Sequence, residues 1–415
     1  MAVTTSSTRA IQAEADEIIH AVMATAEGHA DPYPHYARLR ELAPVHRSDL
    51  DGVWYVSDFA TCRQILGDAR VGKNLSIVVS RHGVDEARVR LAERRSRPSM
   101  LTTDPPEHNR LRGVAKGAFI PPSMEALRPR VAQLVDGRLD RLAGLGEADV
   151  MAELAYPLPV TVISELMGVP DADRDRFQPL IRALVSSDQP DPTAEGTKAV
   201  ERAGDDLEAY FKALIDERRA RPADDLLTAF VARHEAGELS YEELYATITL
   251  VFIAGFLTTT NLIGNGLVAL FDHPGELARL LADPDLVTPA VEEILRYDTP
   301  VQFVHRRMLE DAEFAGARFG EDDIVFTLLA AANRDPARFP EPDRFDIGRT
   351  DNLHLAFAWG LHFCLGARLA RMEGQLVFAG LRERFGGLEL LEEPVRRAGL
   401  AIRALDSLRV RFTPR

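Results

Sequence analysis

The chain has 415 residues, of which 46% are hydrophobic and 27% are charged. These fractions are typical of an ordinary globular protein and exclude collagen, long disordered tracts and coiled-coil rods. Because 64 acidic residues outnumber 49 basic ones, the net charge is −15, which disfavours general nucleic-acid binding and coating of an anionic membrane.

The cysteine content and the first residues predict a cytoplasmic protein. Two cysteines, Cys62 and Cys364, are too few for a disulfide framework, a zinc ribbon or a Cys-x-x-Cys pair, and they fit a reducing compartment. The start, MAVTTSSTRAIQAEADEII, lacks the basic stretch and apolar run of a signal peptide. The most apolar window, TITLVFIAGFL, is shorter than the roughly 20 residues that cross a membrane, so no membrane is expected.

The first third of the chain mixes short elements. Residues 1–30 are predicted to form a weakly amphipathic, flexible lead-in. DPYPHYARLRELAPVH then predicts a short helix, and DGVWYVSD a strand bounded by turn residues. Residues 74–103 contain the basic stretch ARVRLAERRSRPS and end in a predicted loop.

From Asp104 to about residue 220 the apolar spacing of three and four predicts helices. SSDQPDPTAEG, residues 186–196, is typical of a mobile surface connection. A long helix is predicted from about Ser240 to Phe271 and a further one over residues 289–297. Residues 301–330 and 395–413 are predicted to form short strands and turns. With neither a repeat nor a dividing linker, we expect one mainly helical domain over residues 31–415, with a minor β component.

Cys364 lies between Gly360 and Gly366, directly before the helical pattern ARLARMEGQLVFAGL. A thiol just before a helix start is near unpaired N–H groups and the positive end of the helix dipole, which favour the thiolate. A lone cysteine is nevertheless more often a small buried hydrophobe, which is how we interpret Cys62.

The pattern Phe357-x-x-Gly360-x-His362-x-Cys364-x-Gly366, followed by LAR, resembles the haem-thiolate loop of the cytochrome P-450 superfamily. Ala358 stands where the family usually has a second glycine. The resemblance implies a mainly α, single-domain fold, a triangular helix-rich prism enclosing haem b. Cys364 would be the axial iron ligand, with Phe357 and Gly366 as cofactor-binding residues. Thiolate ligation favours O–O cleavage.

Four further segments resemble the same family in the expected order. Glu293 and Arg296, three apart on a helix, and Arg344 match its buried Glu–Arg–Arg network, which is structural. Haem propionates would be bound by His108 and Arg112, which share a helix face, by Arg306 with Arg307 as the fallback, and by His362. Outside this context, each of these pairs would be ordinary surface charge.

IAGFLTTTNLIGNGLVAL resembles the family's helix above the haem. Ala254 and Gly255 would let it approach the porphyrin, and Thr258 would hydrogen-bond dioxygen. Leu257 departs from the family, which has an acid there to help deliver protons. Three routes stay open: the substrate supplies a polar group or water, Thr259 or another polar residue relays protons, or the reaction needs fewer protons.

The sequence carries no Gly-rich dinucleotide fingerprint after a strand, so NAD(P)H electrons are expected to arrive through a separate ferredoxin and ferredoxin reductase. A basic patch that would steer the ferredoxin is predicted, with ordinary surface charge as the alternative; its residues are Arg110, Arg112, Lys116, Arg368 and Arg371.

The resemblance implies an apolar substrate pocket, lined by residues ~75–100 and ~170–195, by Phe256 and Leu257, by Val301 to Val304 and by Leu400 to Ile402. We therefore expect a dioxygen-dependent monooxygenase acting on a moderately sized organic molecule, free or bound to a carrier protein, of the kind found in secondary metabolism. Two alternatives are a non-hydroxylating oxidation, such as aromatic coupling or peroxygenation, and a non-enzymatic haem-binding protein.

Overall fold

Helices make up most of the chain in the computed structural model, which describes residues 2–74, 97–186, 194–397, 399 and 401–415. In chain order they are α1 (Ala2–Ala24), α2 (Ala26–Ala30), α3 (Tyr33–Leu42), α4 (Phe59–Gly67), α5 (Glu107–Lys116), α6 (Pro121–Leu145), α7 (Pro157–Met167), α8 (Phe177–Ser186), α9 (Ala194–Ala220), α10 (Leu226–Glu235), α11 (Tyr241–Asp272), α12 (Pro274–Ala282), α13 (Val287–Tyr297), α14 (Leu329–Ala332) and α15 (Ala367–Arg384).

The strands are short, as the sequence predicts for a minor β component. They are β1 (Val45–Arg47), β2 (Trp54–Val56), β3 (Val71–Gly72), β4 (Glu147–Asp149), β5 (Val304–Met308), β6 (Ala312–Phe314), β7 (Ala317–Phe319), β8 (Ile324–Thr327), β9 (Phe385–Leu390), β10 (Val395–Arg397), β11 (Ala404–Ser407) and β12 (Arg409–Pro414).

The long helix α11 begins at a reciprocal cap. The Ser240 hydroxyl accepts a hydrogen bond from the Glu243 N–H at 3.2 Å, and the Glu243 carboxylate accepts from the Ser240 N–H at 2.8 Å. This capping box satisfies two N–H groups that a helix start otherwise leaves unpaired. The helix predicted from about Ser240 is therefore confirmed, with a local reason for its first residue.

α11 is also the helix, in the part of the chain described here, that is long and apolar enough to cross a membrane. An 18-residue window in it has a mean hydropathy of 1.7, and 61% of that window is buried inside the protein. Burial of this kind is expected of a core helix of a folded protein.

Contacts divide the chain into two compact units, both discontinuous in sequence. Unit 1 comprises residues 1–72, 261–364 and 381–415. It contains a five-stranded sheet in the order β1-β2-β8-β5-β3, in which β2 pairs with β8 in parallel and Tyr55 lies opposite Phe326. In the same unit, outside this sheet, β9 and β12 pair antiparallel.

The N-terminal residues belong to the core of unit 1, contrary to the predicted flexible lead-in. Ala15, Ile19 and Val22 of α1 are buried in one cluster with Tyr36 and Leu39 of α3. The amphipathic pattern of α1 is weak, but its apolar residues recur every three or four positions and meet a partner helix, which stabilises them.

Unit 2 comprises residues 73–260 and 365–380. Its core is rich in aromatic rings: Phe177 lies 4.6 Å from Phe252 between ring centroids, and Phe252 lies 5.7 Å from Phe256. The single domain predicted over residues 31–415 stays a prediction. The predicted loop of 74–103 and connection of 186–196 fall largely outside the described residues.

The predicted buried network needs one correction. Glu293 and Arg296 are fully buried and paired at 2.8 Å. Arg344, however, is 57% exposed at its side chain and pairs with Glu341. The third arginine is instead Arg349, whose Nε lies 3.3 Å from the Glu293 carboxylate. Arg344 and Arg349 end two successive turns, closed by hydrogen bonds to the Glu341 and Asp346 carbonyls, and only the path of the chain decides which side chain points inward.

Candidate active site around Cys364

The Cys364 loop is held closed by its own backbone. The Cys364 N–H donates to the Phe357 carbonyl at 3.0 Å, and the Ala358 N–H donates to the Leu355 carbonyl at 2.8 Å. Between them, residues 360–362 form one turn of 3-10 helix. Cys364 itself is exposed, whereas Phe357 is buried, so the loop presents the sulfur and anchors the ring beside it.

Two backbone positions in this loop have positive φ. Gly360 has φ +72°, and a Cβ there would lie 2.4 Å from the Leu66 carbonyl oxygen of α4, so its conformation and its packing both require glycine. Ala358 has φ +57°, which is unfavourable for a residue with a side chain. The structure therefore shows a strained backbone at the position where the family usually has a second glycine.

Helix α4 supports the loop through a contact that sequence reasoning missed. The Trp359 indole would touch a Cβ built on Gly67, at 3.3 Å, and the Arg63 guanidinium lies 4.4 Å from the Trp359 ring centroid. A cation over an aromatic face is favourable, so Arg63 helps to fix Trp359. These partners lie far apart in the chain, so the sequence holds no local signal of their contact.

Helix α15 begins at Ala367, three residues after Cys364. The predicted placement of the thiol just before a helix start is therefore observed, and the partial positive charge at that end favours a thiolate. A Cβ added to Gly366 would meet no atom within 4 Å, so crowding by protein atoms does not explain this glycine. Its role as a cofactor-binding residue stays a prediction.

His108 and Arg112 lie on one helix, as predicted. The helix is α5, in unit 2. His108 is completely buried, and its Nδ1 lies 3.2 Å from Asn109 Oδ1. Burial lowers the pKa of His108, and the nearby positive charge of Arg112 acts in the same direction. The imidazole is therefore neutral at pH 7 and has one N–H to donate.

Arg306 and His362 lie in unit 1. Arg306 is 2% exposed and donates to the His305 carbonyl, whereas Arg307 is tied to Asp322 at 3.1 Å. Arg307 is thus engaged by Asp322, and the propionate role of Arg306 stays a prediction. His362 is half-buried in the turn before Cys364, and its Nε2 is shielded from solvent.

One stripe of α11 is accessible in an otherwise buried segment of unit 2. Ala254 is exposed and Thr258 and Leu257 are half-buried, while Thr259 is 2% exposed and faces the core. The Thr258 hydroxyl donates to the Ala254 carbonyl at 3.2 Å, the back-bonding expected of a mid-helix threonine. Thr258 and Ala254 therefore share the accessible face, one turn apart.

Gly255 and Phe256 both make packing contacts within unit 2, and the role of Gly255 beside the porphyrin stays a prediction. A Cβ on Gly255 would lie 2.7 Å from Ile163 Cδ1, so this glycine permits close packing of α11 against α7. Phe256 is 1% exposed and packs against Tyr156 and Phe252, so it belongs to the core and does not line an accessible pocket. Phe256 points away from the stripe because it lies two helix positions, about 200°, from Ala254.

Glu373 is a buried acid that sequence reasoning missed. It lies on α15, is 0% exposed, and neither carboxyl oxygen has a hydrogen-bond partner among the described residues. Desolvation raises the pKa of Glu373 well above the usual range, which favours the protonated carboxyl over the carboxylate. Nothing in the pattern ARLARMEGQL distinguishes it from a surface glutamate.

The donor set fits a haem. An exposed sulfur at a helix start is suited to bind iron, and two imidazoles with two guanidinium groups suit carboxylates such as propionates. The predicted residues are divided between the units: Cys364, Phe357, His362 and Arg306 in unit 1, and His108, Arg112, Ala254, Gly255, Thr258 and Gly366 in unit 2.

The predicted basic patch loses one member. Arg110 pairs with Glu243 and also donates to the Glu238 carbonyl at 2.7 Å, so its charge is offset. Lys116 and Arg368 are both exposed in unit 2, while Arg112 and Arg371 are half-buried. Lys116 and Arg368 are thus the best-placed cations of the predicted patch.

The chain is similar to known proteins over nearly its whole length. A family model described as Cytochrome P450 matches residues 71–387. The chain is 41% identical over 394 residues to the cytochrome P450 monooxygenase PikC of Streptomyces venezuelae, covering 92% of this chain and 91% of that protein. It is 36% identical over 396 residues to the polyketide biosynthesis cytochrome P450 PksS of Bacillus subtilis, covering 92% and 96%.

A solved structure extends the likeness to the fold. The crystal structure of P450BioI, in complex with an acyl carrier protein ligated to hexadec-9Z-enoic acid, matches with a TM-score of 0.86 at 34% sequence identity. The match covers 93% of this chain and 100% of that one.

Proposed function

The chain belongs to the cytochrome P450 family and is a cytochrome P450 monooxygenase, and on this premise we propose that it oxidises a moderately sized organic intermediate of natural-product biosynthesis. The family implies a haem-thiolate cofactor. The observation that carries the assignment of the thiolate is the exposed sulfur of Cys364, in a loop closed by its own N–H and followed by α15.

The residues around this cysteine take the following roles. Cys364 binds the iron, and Phe357 shields the sulfur side of the loop. His108, Arg112, Arg306 and His362 hold the propionates, since they are the imidazole and guanidinium donors of the predicted set. When bound, the haem supplies the redox chemistry that transfers one atom of dioxygen to the substrate and reduces the other to water.

The accessible stripe of α11 carries the residues that would contact dioxygen when the haem is bound. Ala254 has a side chain small enough to leave room, and Gly255 fixes the helix against Ile163. Thr258 can exchange its bond to the Ala254 carbonyl for one to a bound molecule, because a hydroxyl both donates and accepts. Thr258 is therefore the group of this chain that orients dioxygen.

Leu257 stands where the family has an acid that helps to deliver protons beside Thr258. We therefore assign proton delivery first to the substrate. A substrate hydroxyl, carboxyl or ordered water next to Thr258 would complete the relay. Thr259 is a poor alternative because it is buried away from the stripe.

The names of two relatives support the substrate class. One relative acts in polyketide biosynthesis, and one similar structure holds an acyl carrier protein. Both chemistries fit an apolar substrate, free or presented on a carrier. Half-buried apolar residues of unit 1 are available for it: Val301 forms an isolated β-bridge with Ile402, which places both beside each other.

Electrons come from NAD(P)H through a ferredoxin and its reductase. Lys116 and Arg368 would attract the acidic ferredoxin to unit 2, on the side of α5 and the first turns of α15.

The reduced protein with carbon monoxide tests the ligand directly. We expect the strongly red-shifted Soret band of thiolate ligation in the wild type, and its loss together with turnover in Cys364→Ser. Cys62→Ala is the matched control, because Cys62 is buried and bonded to the Val56 carbonyl, and its band should not change. An unchanged band in Cys364→Ser would refute the assignment.

The proposed proton delivery by the substrate is tested by substitution of Leu257. Leu257→Glu should improve turnover of unnatural substrates and reduce uncoupled peroxide release, because a carboxyl can pass protons where leucine cannot. If the coupling of electron use to product formation is unchanged, substrate assistance is contradicted.

Incorporation of oxygen-18 from dioxygen into the product separates monooxygenation from aromatic coupling. Leu257 is the one feature that favours aromatic coupling.

A further inference from the structure

A groove of about 610 Å³ opens on unit 2 beside the end of α5, where Val114, Gly117 and Ala118 line it, and none of its lining residues is one assigned to the haem or dioxygen. Three helices line most of it, each with one face: α6 from Ser123 to Leu134, α7 from Val162 to Leu166, and α10 from Leu226 to Arg233. The lining positions recur every three or four residues along each helix, so the groove is a continuous surface of packed helices. Its volume is that of a site for a small organic molecule.

The floor of the groove is apolar and well packed. Met124, Val131 and Val162 are at most 5% exposed, and Leu127 and Leu166 are half-buried beside them. Ala229 of α10 is exposed at the opening, where its small side chain keeps the groove wide. An apolar body of moderate size would bury this surface favourably.

Both arginines of the lining are already neutralised. Arg130 makes two parallel hydrogen bonds to the Glu165 carboxylate, at 2.7 and 2.9 Å, across the groove wall. Arg233 pairs with Glu238 at 2.9 Å. A guanidinium engaged in this way has little positive charge to offer, which disfavours an anionic ligand.

The carboxylates of the lining are not balanced in the same way. Asp225 is tied to Arg218 at 2.6 Å and caps α10 by accepting from the Thr228 N–H at 2.7 Å. Asp224, next to it, is exposed and has no ion pair within the described parts of the chain. One unneutralised negative charge therefore stands at the edge of an apolar groove.

We propose that this groove binds a small organic cation, with its apolar body between α6, α7 and α10 and its ammonium group paired with Asp224. The site is distinct from the haem site and goes beyond the monooxygenase function. Helix α7 also connects the groove to the part of α11 that carries Thr258. Val162 lines the groove, and the next residue, Ile163, is the one that packs against Gly255, three residues before Thr258.

Fluorescence titration of the haem-loaded enzyme with dansylcadaverine tests the site. This probe joins an apolar fluorophore to a primary amine, and its N-acetylated form has the same body without the charge. We expect saturable binding without a change in the Soret band, and weaker binding of the acetylated probe. Asp224→Asn should lower the affinity for the amine about two- to fivefold, the scale of a partly exposed ion pair, and leave the acetylated probe unaffected.

Two further variants separate the groove from other sites. Ala229→Trp fills the opening and should weaken both probes at least about tenfold, since the apolar body no longer fits. Asp206→Asn, an exposed aspartate on α9, should bind both probes as the wild type does. The proposal is overturned if Ala229→Trp binds normally, if Asp224→Asn does not distinguish the probes, or if binding shifts the Soret band.

Discussion

Single residues decide how this chain departs from its family, and Ala358 is the sharpest case. A methyl group at φ +57° clashes with the neighbouring carbonyl, and the loop retains this conformation because the closed turn around Cys364 leaves no alternative. Glycine, which the family usually has there, would remove the clash.

Replacement of this alanine should therefore stabilise the protein. We expect Ala358→Gly to raise the free energy of unfolding by about 0.5–1 kcal/mol, because the relief of strain exceeds the entropy that glycine adds to the unfolded chain. Urea unfolding measures it. Ala278→Gly, at an exposed helical position of α12, should instead lower stability by about 1 kcal/mol. Equal effects of the two changes would contradict strain at residue 358.

Glu373 predicts a pH dependence of stability. Burial raises its pKa in the folded state, so the folded protein holds a proton that the unfolded chain releases above its ordinary pKa of about 4.3. The stabilisation is complete below that pKa and is lost as the pH rises towards the folded-state value, by about 1.4 kcal/mol per pH unit.

The variant Glu373→Gln lacks this proton and should show no such slope. Measured by urea unfolding, the free energy of unfolding of Glu373→Gln should increase relative to that of the wild type between pH 5 and pH 7. Glu383→Gln, at an exposed position of the same helix, should follow the wild type at every pH. A pH-independent difference between Glu373→Gln and the wild type would show that Glu373 is ionised when folded.

At the scale of elements, α11 has two faces with separate tasks. Ala254, Leu257 and Thr258 form the accessible stripe, and Gly255 and Phe256 form the packed side against α7 and the aromatic core. The sequence AGFLT contains both sets within five residues. Their separation follows from the helical turn alone, but which set faces the site follows from what packs against it.

Because Gly255 lies on the packed side, the substitution Gly255→Ala should lower the free energy of unfolding. Its new Cβ would meet a fully buried Ile163, so we expect a loss of about 1–2 kcal/mol in spite of the better helix propensity of alanine. Gly137→Ala on α6, where nothing lies within 4 Å, should gain up to about 1 kcal/mol. In a double-mutant cycle with Ile163→Ala, the loss at 255 should shrink; additive losses would exclude the contact.

For the whole molecule, charge is the property that governs encounter with a redox partner. A net charge of −15 repels an acidic ferredoxin, so productive approach needs a local cationic surface. Lys116 and Arg368 are exposed on one unit, whereas Arg110 is engaged by Glu243.

Charge reversal of both residues, Lys116→Glu with Arg368→Glu, should raise the apparent KM for ferredoxin by roughly three- to tenfold at low salt. The effect should fade at high ionic strength, where exposed charges are screened. The pair Arg202→Glu and Lys212→Glu on α9 changes the net charge equally and should have little effect. Similar KM values for both double variants would refute a local patch.

Much of the fold could be predicted from the sequence, and the family resemblance and its mainly helical fold are confirmed, while the assignment of Cys364 as the iron ligand stays a prediction. Cys364, its glycines and the helix behind it are neighbours in the chain, so their geometry follows from local rules. The same holds for the cap of α11 at Ser240.

Only the tertiary structure decided which side chains turn inward. Arg349 replaces Arg344 beside Glu293, Phe256 packs into the core, α1 packs on α3, and Glu373 is buried without a partner among the described residues. Burial and distant partners depend on how remote segments pack, and residue type and spacing along the chain do not encode that directly. The sequence therefore specified the local geometry of the Cys364 loop, and packing specified what surrounds it.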